Sequence, residues 1–597
     1  MAEGRSDLGT VIGCFLERAA ERGSQPLWYR RSGGRWHPVS WESALSEVRR
    51  LAAGLASIGI TQGDRVGLIG PNVPEWVMAD YAIQHVAGVV VPIYDTSSSD
   101  QIADILTRTG ARVCLAYGDE AIGKIREAML PDLDTVVALH WDEEEHDQFL
   151  GYGALCQRGE TWIEEHPEGL ARRLADLDPA QIATIIFTSG TGDDPKGVAL
   201  SHHNLVWAAD ASVQAVGIGR REITLSYLPL AHASERVITT VVPLVPNTKR
   251  WTCWFVEDLE GLPAAIRSVR PTIFLAVPVV WARMHDRIQA ELLARGFARR
   301  GLARIALAAG ESAIRHRDDG RSVAPHVRLG ASSAKFLGRR VLKKLGLDRC
   351  WFAISGAAPL AESTQRFFQA LGLPLHQGWG LTETAALCTV QRPDDLEVGV
   401  VGKPLEGVEL RLGADGEVQV RGPNVFAGYE TEPPSNKQMF DEEGYLRTGD
   451  VGRLTEDGRL VIIDRLKDLI ITSGGRNVAP RPMEEKLEEE PLINETMVLG
   501  EGRPYLTALI SIDGGEAARA VGSRLQEDEG LWEHPTVHQR VDRAVAALNR
   551  SLPDAEQVHR YAIVPVGFPD AALTPTWKLK RRVVEETFAD LIESLYV

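Results

Sequence analysis

The sequence predicts an α/β protein: a large N-terminal domain of doubly wound sheets with helices, residues 1–463, and a small α+β C-terminal domain, residues 464–597. Three observations lead there. Short apolar runs alternate with amphipathic helical stretches early in the chain, the pattern of a largely parallel sheet wrapped by helices. One apolar run, TIIF at 184–187, passes directly into a loop rich in hydroxyls and glycines, where an open α/β sheet places its ligands. Past Asp464 the strands shorten, and acidic helices such as PMEEKLEEEP come between them.

The elements follow in order. From Trp41, the side chains Leu45, Val48, Leu51, Leu55 and Ile58 fall on one helical stripe that Gly59 ends. RVGLIG at 65–70 reads as a strand, EWVMADYAIQHVAG as a helix and VVVPIY at 89–94 as a buried strand; QIADILTRTGA is the next helix and RVCLAY at 112–117 the next strand. His202 and His203 read as the start of a helix. The segment Arg295–Arg349 stands apart, with 14 Lys or Arg against 4 Asp or Glu, a net of +10 in a chain of formal charge −17. It reads as helical, either as a solvated charged face or as a contact for anionic groups such as lipid headgroups.

A chain of 597 residues, 44% hydrophobic and 25% charged, is long enough for more than one core. Its acidity excludes a general nucleic-acid binder, which needs a basic face. Six scattered cysteines with no CxxC pair suggest neither a zinc site nor a disulfide framework, and a reducing cytoplasm fits them best. The N-terminal stretch meets charges before any long apolar run develops, and no run is long enough to span a bilayer, so the protein is expected to be neither secreted nor membrane-spanning.

The loop after TIIF reads TSGTGDDPKG, residues 188–197. A Walker loop needs Gly-x4-Gly-Lys followed by Ser or Thr, and here Lys196 is followed by Gly197. The P-loop NTPase reading therefore fails. What is left is a loop whose Thr188, Ser189 and Thr191 hydroxyls and backbone amides, with Gly190 among them, can donate to phosphate oxygens while Lys196 adds charge. Taken alone, the same loop is equally a surface turn.

Read together with LPLAHASER (228–236), AISGAAPL (353–360), QGWGLTET (377–384), YLRTGD (445–450), DRLKDLIITSGGRNVAP (464–480) and LTPTWKLKRR (573–582), it resembles, in order, the motifs of the adenylate-forming superfamily. Within that superfamily the chain is most similar to long-chain fatty-acyl-CoA synthetases. The resemblance implies that a fatty carboxylate attacks the α-phosphorus of ATP, pyrophosphate leaves, and the thiol of CoA displaces AMP. No protein nucleophile is needed; positioning and charge stabilisation carry the rate.

By the same resemblance, Glu383 would hold Mg²⁺ and Thr382 would touch the α-phosphate, while Gly356, Ala357 and Ala358 would form the adenine wall. Trp379, followed by Gly380, would stack on the base or else be a core aromatic. Asp450 would chelate the ribose hydroxyls with help from Arg465. Lys467 would be the hinge of a mobile C-terminal domain that delivers the adenylation lysine, Lys578, in one orientation. In the other it brings up a CoA-side loop whose Gly474 and Gly475 leave room for a thiol tunnel, or form a plain turn. Lys578 could instead be one of a basic cluster with Lys580, Arg581 and Arg582. His232 would lie near the acyl pocket or be a packed core histidine. The phosphates of CoA join lipid headgroups as candidates for the basic segment. The implied partners are a long-chain fatty acid, ATP and CoA, and the implied location is cytoplasmic with peripheral contact at the inner face of the membrane.

Relatives usually carry Thr where this chain has Gly192 and Gly where it has Asp193. Asp193 can turn outward or pair with Lys196, help ligate the metal, or mark an impaired enzyme that serves as a binder. Two other functions stay open: an acyl-AMP ligase that loads a carrier protein, and a non-catalytic acyl or nucleotide sensor.

Overall fold

A computed structural model describes residues 9–141, 145–146, 148–188, 195–293, 297–430, 439–522, 530–564, 567–569, 572 and 579–597. The described residues fall into two compact units: the chain up to Thr188 with Pro195–Leu410 and Val420–Leu446, and Arg411–Gln419 with Arg447–Val597.

The first unit is built on parallel strands with helical crossovers. Its largest sheet has nine strands in the order Gly428–Tyr429, Gly197–Ser201, Ile182–Phe187, Val89–Ile93, Arg65–Ile69, Val113–Ala116, Thr135–Ala138, Phe149–Gly151 and Glu145–His146. Val89–Ile93, Arg65–Ile69, Val113–Ala116 and Thr135–Ala138 are parallel neighbours, as alternating helix and strand signals require. The helix expected from Trp41 runs Trp41–Ser57, with Ser40 accepting from the Ser43 N–H at its start and Gly59 at φ +91° just beyond its end. The helix Ser99–Thr109 begins with a reciprocal Ser98–Gln101 capping box and stops at Gly110 in the left-handed region. Its apolar face, Ile102, Ile105 and Leu106, packs on the sheet beside Val91 and Cys114.

A second sheet aligns Ile273–Ala276, Phe352–Ser355 and Leu375–Trp379 in parallel, then adds two short antiparallel strands. Beneath it Gln365, Gln377 and Gln391 bond one another in a buried network, with Gln365 Nε2 on Gln391 Oε1 at 3.0 Å and Gln377 Nε2 on Gln365 Oε1 at 2.9 Å. Buried amides must be paired, so this network fixes the register of Leu375–Trp379. The basic segment forms the helices Phe297–Asp318 and Pro325–Leu345. No helix among the described residues is long and apolar enough to cross a membrane, and no described cysteine is in a disulfide.

The second unit contains the antiparallel pair Leu446–Leu454 and Leu460–Arg465, the short pair Ile470–Ile471 and Asn477–Val478, and a three-stranded sheet ordered Ile493–Leu499, Leu506–Ile512, Val558–Val564. Helices Pro480–Leu487 and Pro535–Asn549 cover that sheet around Met483, Leu487, Val537 and Val541.

Candidate active site

In the first unit the expected ligand residues gather at the carboxyl ends of strands. Ile182–Phe187 and Gly197–Ser201 form a hairpin, and the Thr188 N–H donates to the Lys196 carbonyl at 3.1 Å, closing its open end. Arg108 reinforces that closure: its guanidinium donates to the Pro195 carbonyl at 2.8 Å and lies 5.3 Å from the Phe187 ring centre. Ser189, Gly190, Thr191, Gly192, Asp193 and Asp194, which the sequence places between these anchors, lie outside the described residues.

Lys196 and Glu383 meet through a residue the motifs do not include. The Tyr429 hydroxyl donates to Glu383 Oε1 at 2.8 Å, and the Lys196 ammonium stands 5.4 Å from the centre of the same ring. Tyr429 is carried there by the edge strand Gly428–Tyr429, which pairs with Gly197–Ser201. The Phe426 N–H donates to the Glu383 carbonyl at 2.9 Å, so backbone and side chain of Glu383 are both fixed from one segment. A cation over a tyrosine face is attracted by the ring quadrupole, and a hydroxyl on a carboxylate is a charge-assisted bond.

The other expected residues of this unit cluster at the next sheet's edge. Gly356, Ala357 and Ala358 follow Phe352–Ser355 directly, and Ala357 takes φ +70°, a left-handed conformation costly for a residue with a Cβ. Trp379 ends the neighbouring strand, is 8% exposed, and accepts the Cys388 N–H at its carbonyl. A side chain at Gly380 would meet the Ala386 carbonyl at 2.3 Å, so glycine is required by close packing. Thr382 and Glu383 form a short 3₁₀ turn, and the Thr384 hydroxyl accepts from the Leu381 N–H. His376, between these loops, is lowered to about 4 by burial and donates to the Ala353 carbonyl, so it holds two strands together as a neutral ring.

His232 caps the helix Ala233–Arg236 by accepting the Ser234 N–H, and His202 opens the helix His202–Val216. Behind the LAHASER motif lies a buried group the sequence reading left unassigned. Arg236 and Asp80, both under 2% exposed, form an ion pair, with Trp76 at 5.7 Å from the guanidinium. Burial pushes the Asp80 carboxyl up and the Arg236 guanidinium down. Arginine retains its proton in proteins, so the pair is ionic.

In the second unit Asp450 and Arg465 are register partners across the hairpin, with Arg465 Nε 2.6 Å from Asp450 Oδ1. Asp450 is 4% exposed. Asp464, buried and with its carboxyl raised by burial, accepts the Arg465 and Arg481 N–H groups. Lys467 is exposed in the 3₁₀ turn Leu466–Asp468. Gly474 and Gly475 form the tip between Ile470–Ile471 and Asn477–Val478; Gly475 sits at φ +73° and donates to the Thr472 carbonyl, a turn that favours glycine. Lys578 lies outside the described residues. Of its basic neighbours, Arg581 is paired with Glu484 and Arg582 with Glu586.

A family model for AMP-binding enzymes matches residues 15–430, and one for the AMP-binding enzyme C-terminal domain matches residues 467–597. The chain is 34% identical over 602 residues to the long-chain-fatty-acid--CoA ligase FadD15 of Mycobacterium bovis, covering 98% of this chain and 97% of that one. It is 29% identical to the long-chain-fatty-acid--CoA ligase ACSBG2 of Xenopus laevis, covering 98% and 84%. Among solved structures, the adenylation domain of a carboxylate reductase from Mycobacterium chelonae aligns at TM-score 0.74 and 22% identity over 99% of this chain and 91% of that one. ATP-bound MatB from Rhodopseudomonas palustris aligns at TM-score 0.69 and 22% identity over 97% and 99%. These two likenesses establish the fold.

Proposed function

The chain belongs to the AMP-binding enzymes, and from that premise we propose that it joins a long-chain fatty acid to CoA using ATP, with release of AMP and pyrophosphate. The observation that carries the reading is the group Lys196, Tyr429 and Glu383, a cation and a carboxylate brought to one ring beside the hairpin that the loop after Thr188 joins. A lysine that can meet phosphate oxygens and a carboxylate that can meet a hard cation, held on one ring, suit the handling of a nucleoside triphosphate. The naming of full-length relatives as long-chain-fatty-acid--CoA ligases supports the choice of acid and acceptor.

In this reading the fatty carboxylate oxygen attacks the α-phosphorus and pyrophosphate leaves; the CoA sulfur then attacks the acyl carbonyl and AMP leaves. Lys196 and the Thr188–Thr191 stretch, Ser189 and Gly190 included, hold phosphates. Thr382 contacts the α-phosphate, and Lys578 offsets the repulsion between two anions. Gly356, Ala357, Ala358, Trp379 and Gly380 enclose the adenine. Asp450, aligned by its ion pair with Arg465, takes the ribose. Glu383 would hold Mg²⁺: one carboxylate suits a hard cation bound through one or two carboxylates plus substrate phosphates, and when bound it neutralises phosphate charge. The boundary read near Asp464 falls inside the second compact unit, which takes up the chain from Arg447, and Lys467 would be the hinge, with Gly474 and Gly475 on the CoA side. The protein acts in the cytoplasm, in peripheral contact with the inner face of the membrane through the basic segment.

The test is a panel of fatty acids from short to very long, assayed for AMP release with and without CoA. Release that requires CoA and favours long chains, with thioester formed, fits the reading. Acyl-adenylate that accumulates unchanged in the presence of CoA would move the acceptor to a carrier protein. No adenylate with any acid would make the protein a binder.

A further inference from the structure

We propose that the two helices Phe297–Asp318 and Pro325–Leu345 form a docking surface for an anionic lipid bilayer, with the outward face of Pro325–Leu345 lying in the headgroup layer. This deepens the reading above and rests on it in one respect: a long-chain carboxylate partitions into bilayers, so substrate and surface coincide.

Charge is the first observation. Pro325–Leu345 carries Arg328, Lys335, Arg339, Arg340, Lys343 and Lys344 and no acidic residue, within a protein that is otherwise strongly acidic. Exposed apolar side chains on the same elements are the second. Leu329 and Phe336 are 71% and 60% exposed and seven residues apart, so they share one face two turns apart. On the partner helix Leu302 and Ile305 are 69% and 68% exposed. Among the described residues only Met129 and the terminal Val597 are more exposed large apolar side chains, so this is a concentration rather than scatter.

Packing fixes which face looks outward. Ala334, Gly338 and Leu342 are the buried positions of Pro325–Leu345, and a Cβ on Gly338 would sit 1.8 Å from the Leu371 carbonyl. The helix is therefore seated too closely on Glu362–Leu371 to rotate its apolar outer residues inward. The Arg340 guanidinium lies 4.8 Å from the Phe336 ring centre, an aromatic and a cation side by side as the bilayer interface favours. Next to this face, Pro278–Leu293 and Pro325–Leu345 enclose a groove of about 230 Å³ with Ile288, Leu292 and Val341 lining it and Arg287, Arg340 and Lys344 among its polar residues. Glu291 pairs with Lys344, and Arg287 and Arg340 bring two further cations to the same groove. A soluble polyanion would gain nothing from Leu302, Ile305, Leu329 and Phe336, whereas a bilayer interface rewards both kinds of side chain.

The protein is sedimented with vesicles of phosphatidylcholine, pure or mixed with phosphatidylglycerol, at low and high salt, and each protein preparation is assayed separately, without vesicles, for pyrophosphate exchange with palmitate solubilised in a non-ionic detergent. Binding is expected only to the anionic vesicles and should weaken with salt. Lys335→Gln with Lys343→Gln should weaken it about thirtyfold, and Leu329→Ser with Phe336→Ser about tenfold, both without loss of exchange. Equal binding to neutral vesicles, or binding untouched by both pairs of substitutions, would overturn the proposal. So would salt-sensitive self-association lost in the same variants, which would make a second copy of the chain the occupant. Failed exchange with intact anionic-vesicle binding would support the surface and count against the enzymatic reading alone.

Discussion

Tyr429 ties two motif residues together, and removing its hydroxyl separates the roles of the ring and the bond. Tyr429→Phe keeps the aromatic face beside Lys196 but deletes the hydrogen bond to Glu383. A bond to a charged group is worth about 1.5–3 kcal/mol, so kcat/KM for ATP should fall roughly 10- to 100-fold, with a higher Mg²⁺ concentration needed for half-maximal rate. Unchanged Mg²⁺ dependence would remove Tyr429 from the account. Glu235 gives a second test at this scale. It is 2% exposed, accepts from Thr239, and burial pushes its carboxyl up to about 7. A pKa raised on folding means the folded state holds the proton more tightly. The contribution of Glu235 is therefore full below the unfolded pKa of about 4.3 and is lost as pH rises toward 7. Glu235→Gln should match the parent near pH 4 and exceed it by roughly 3 kcal/mol above pH 7 in urea unfolding, an upper value; a pH-independent difference would refute the shift. Lys196 and Glu383 could be singled out as candidates because each sits in a short ordered motif. Tyr429 was not: it is 46 residues from Glu383, and nothing local marks it.

At the level of elements, the helix Pro74–His85 was readable as a helix, but not its surroundings. Every residue of it except Glu75 is buried, Asp80, Gln84 and His85 included, and a buried aspartate in a sequence is indistinguishable from a solvated one. Its partner Arg236 lies at the end of LAHASER, just before the π-helical turn Val237–Val241, a distortion frequent at functional sites. Asp80 Oδ2 and Arg236 Nη1 have no hydrogen-bond partner among the described residues, so the pair is incompletely compensated. Breaking it by Asp80→Ala should cost about 3–5 kcal/mol, whereas Asp80→Leu with Arg236→Met should be near neutral or stabilising. Equal losses in the single and double variants, measured by urea unfolding, would show that the ion pair is not the interaction at stake. The basic segment was legible as charged and helical. Its exposed Leu329 and Phe336 were not, because seven-residue spacing also marks a buried seam.

For the whole molecule, the alternation of helix and strand was enough to predict a doubly wound large domain, since only parallel strands with crossovers satisfy it. The strand order was beyond that reasoning: Gly428–Tyr429 joins the edge of the nine-stranded sheet from far along the chain, and it is this long-range pairing that completes the Lys196 and Glu383 site. The glutamine network under Leu375–Trp379 is equally non-local. The central claim is that this chain makes an acyl-adenylate and passes the acyl group to CoA. The measurement that tests it most directly is palmitate-dependent exchange of labelled pyrophosphate into ATP without CoA, followed by addition of CoA to the same reaction. The account predicts exchange before CoA, then palmitoyl-CoA in equal amount to AMP. Absence of exchange, or AMP released while CoA stays unacylated, would contradict it.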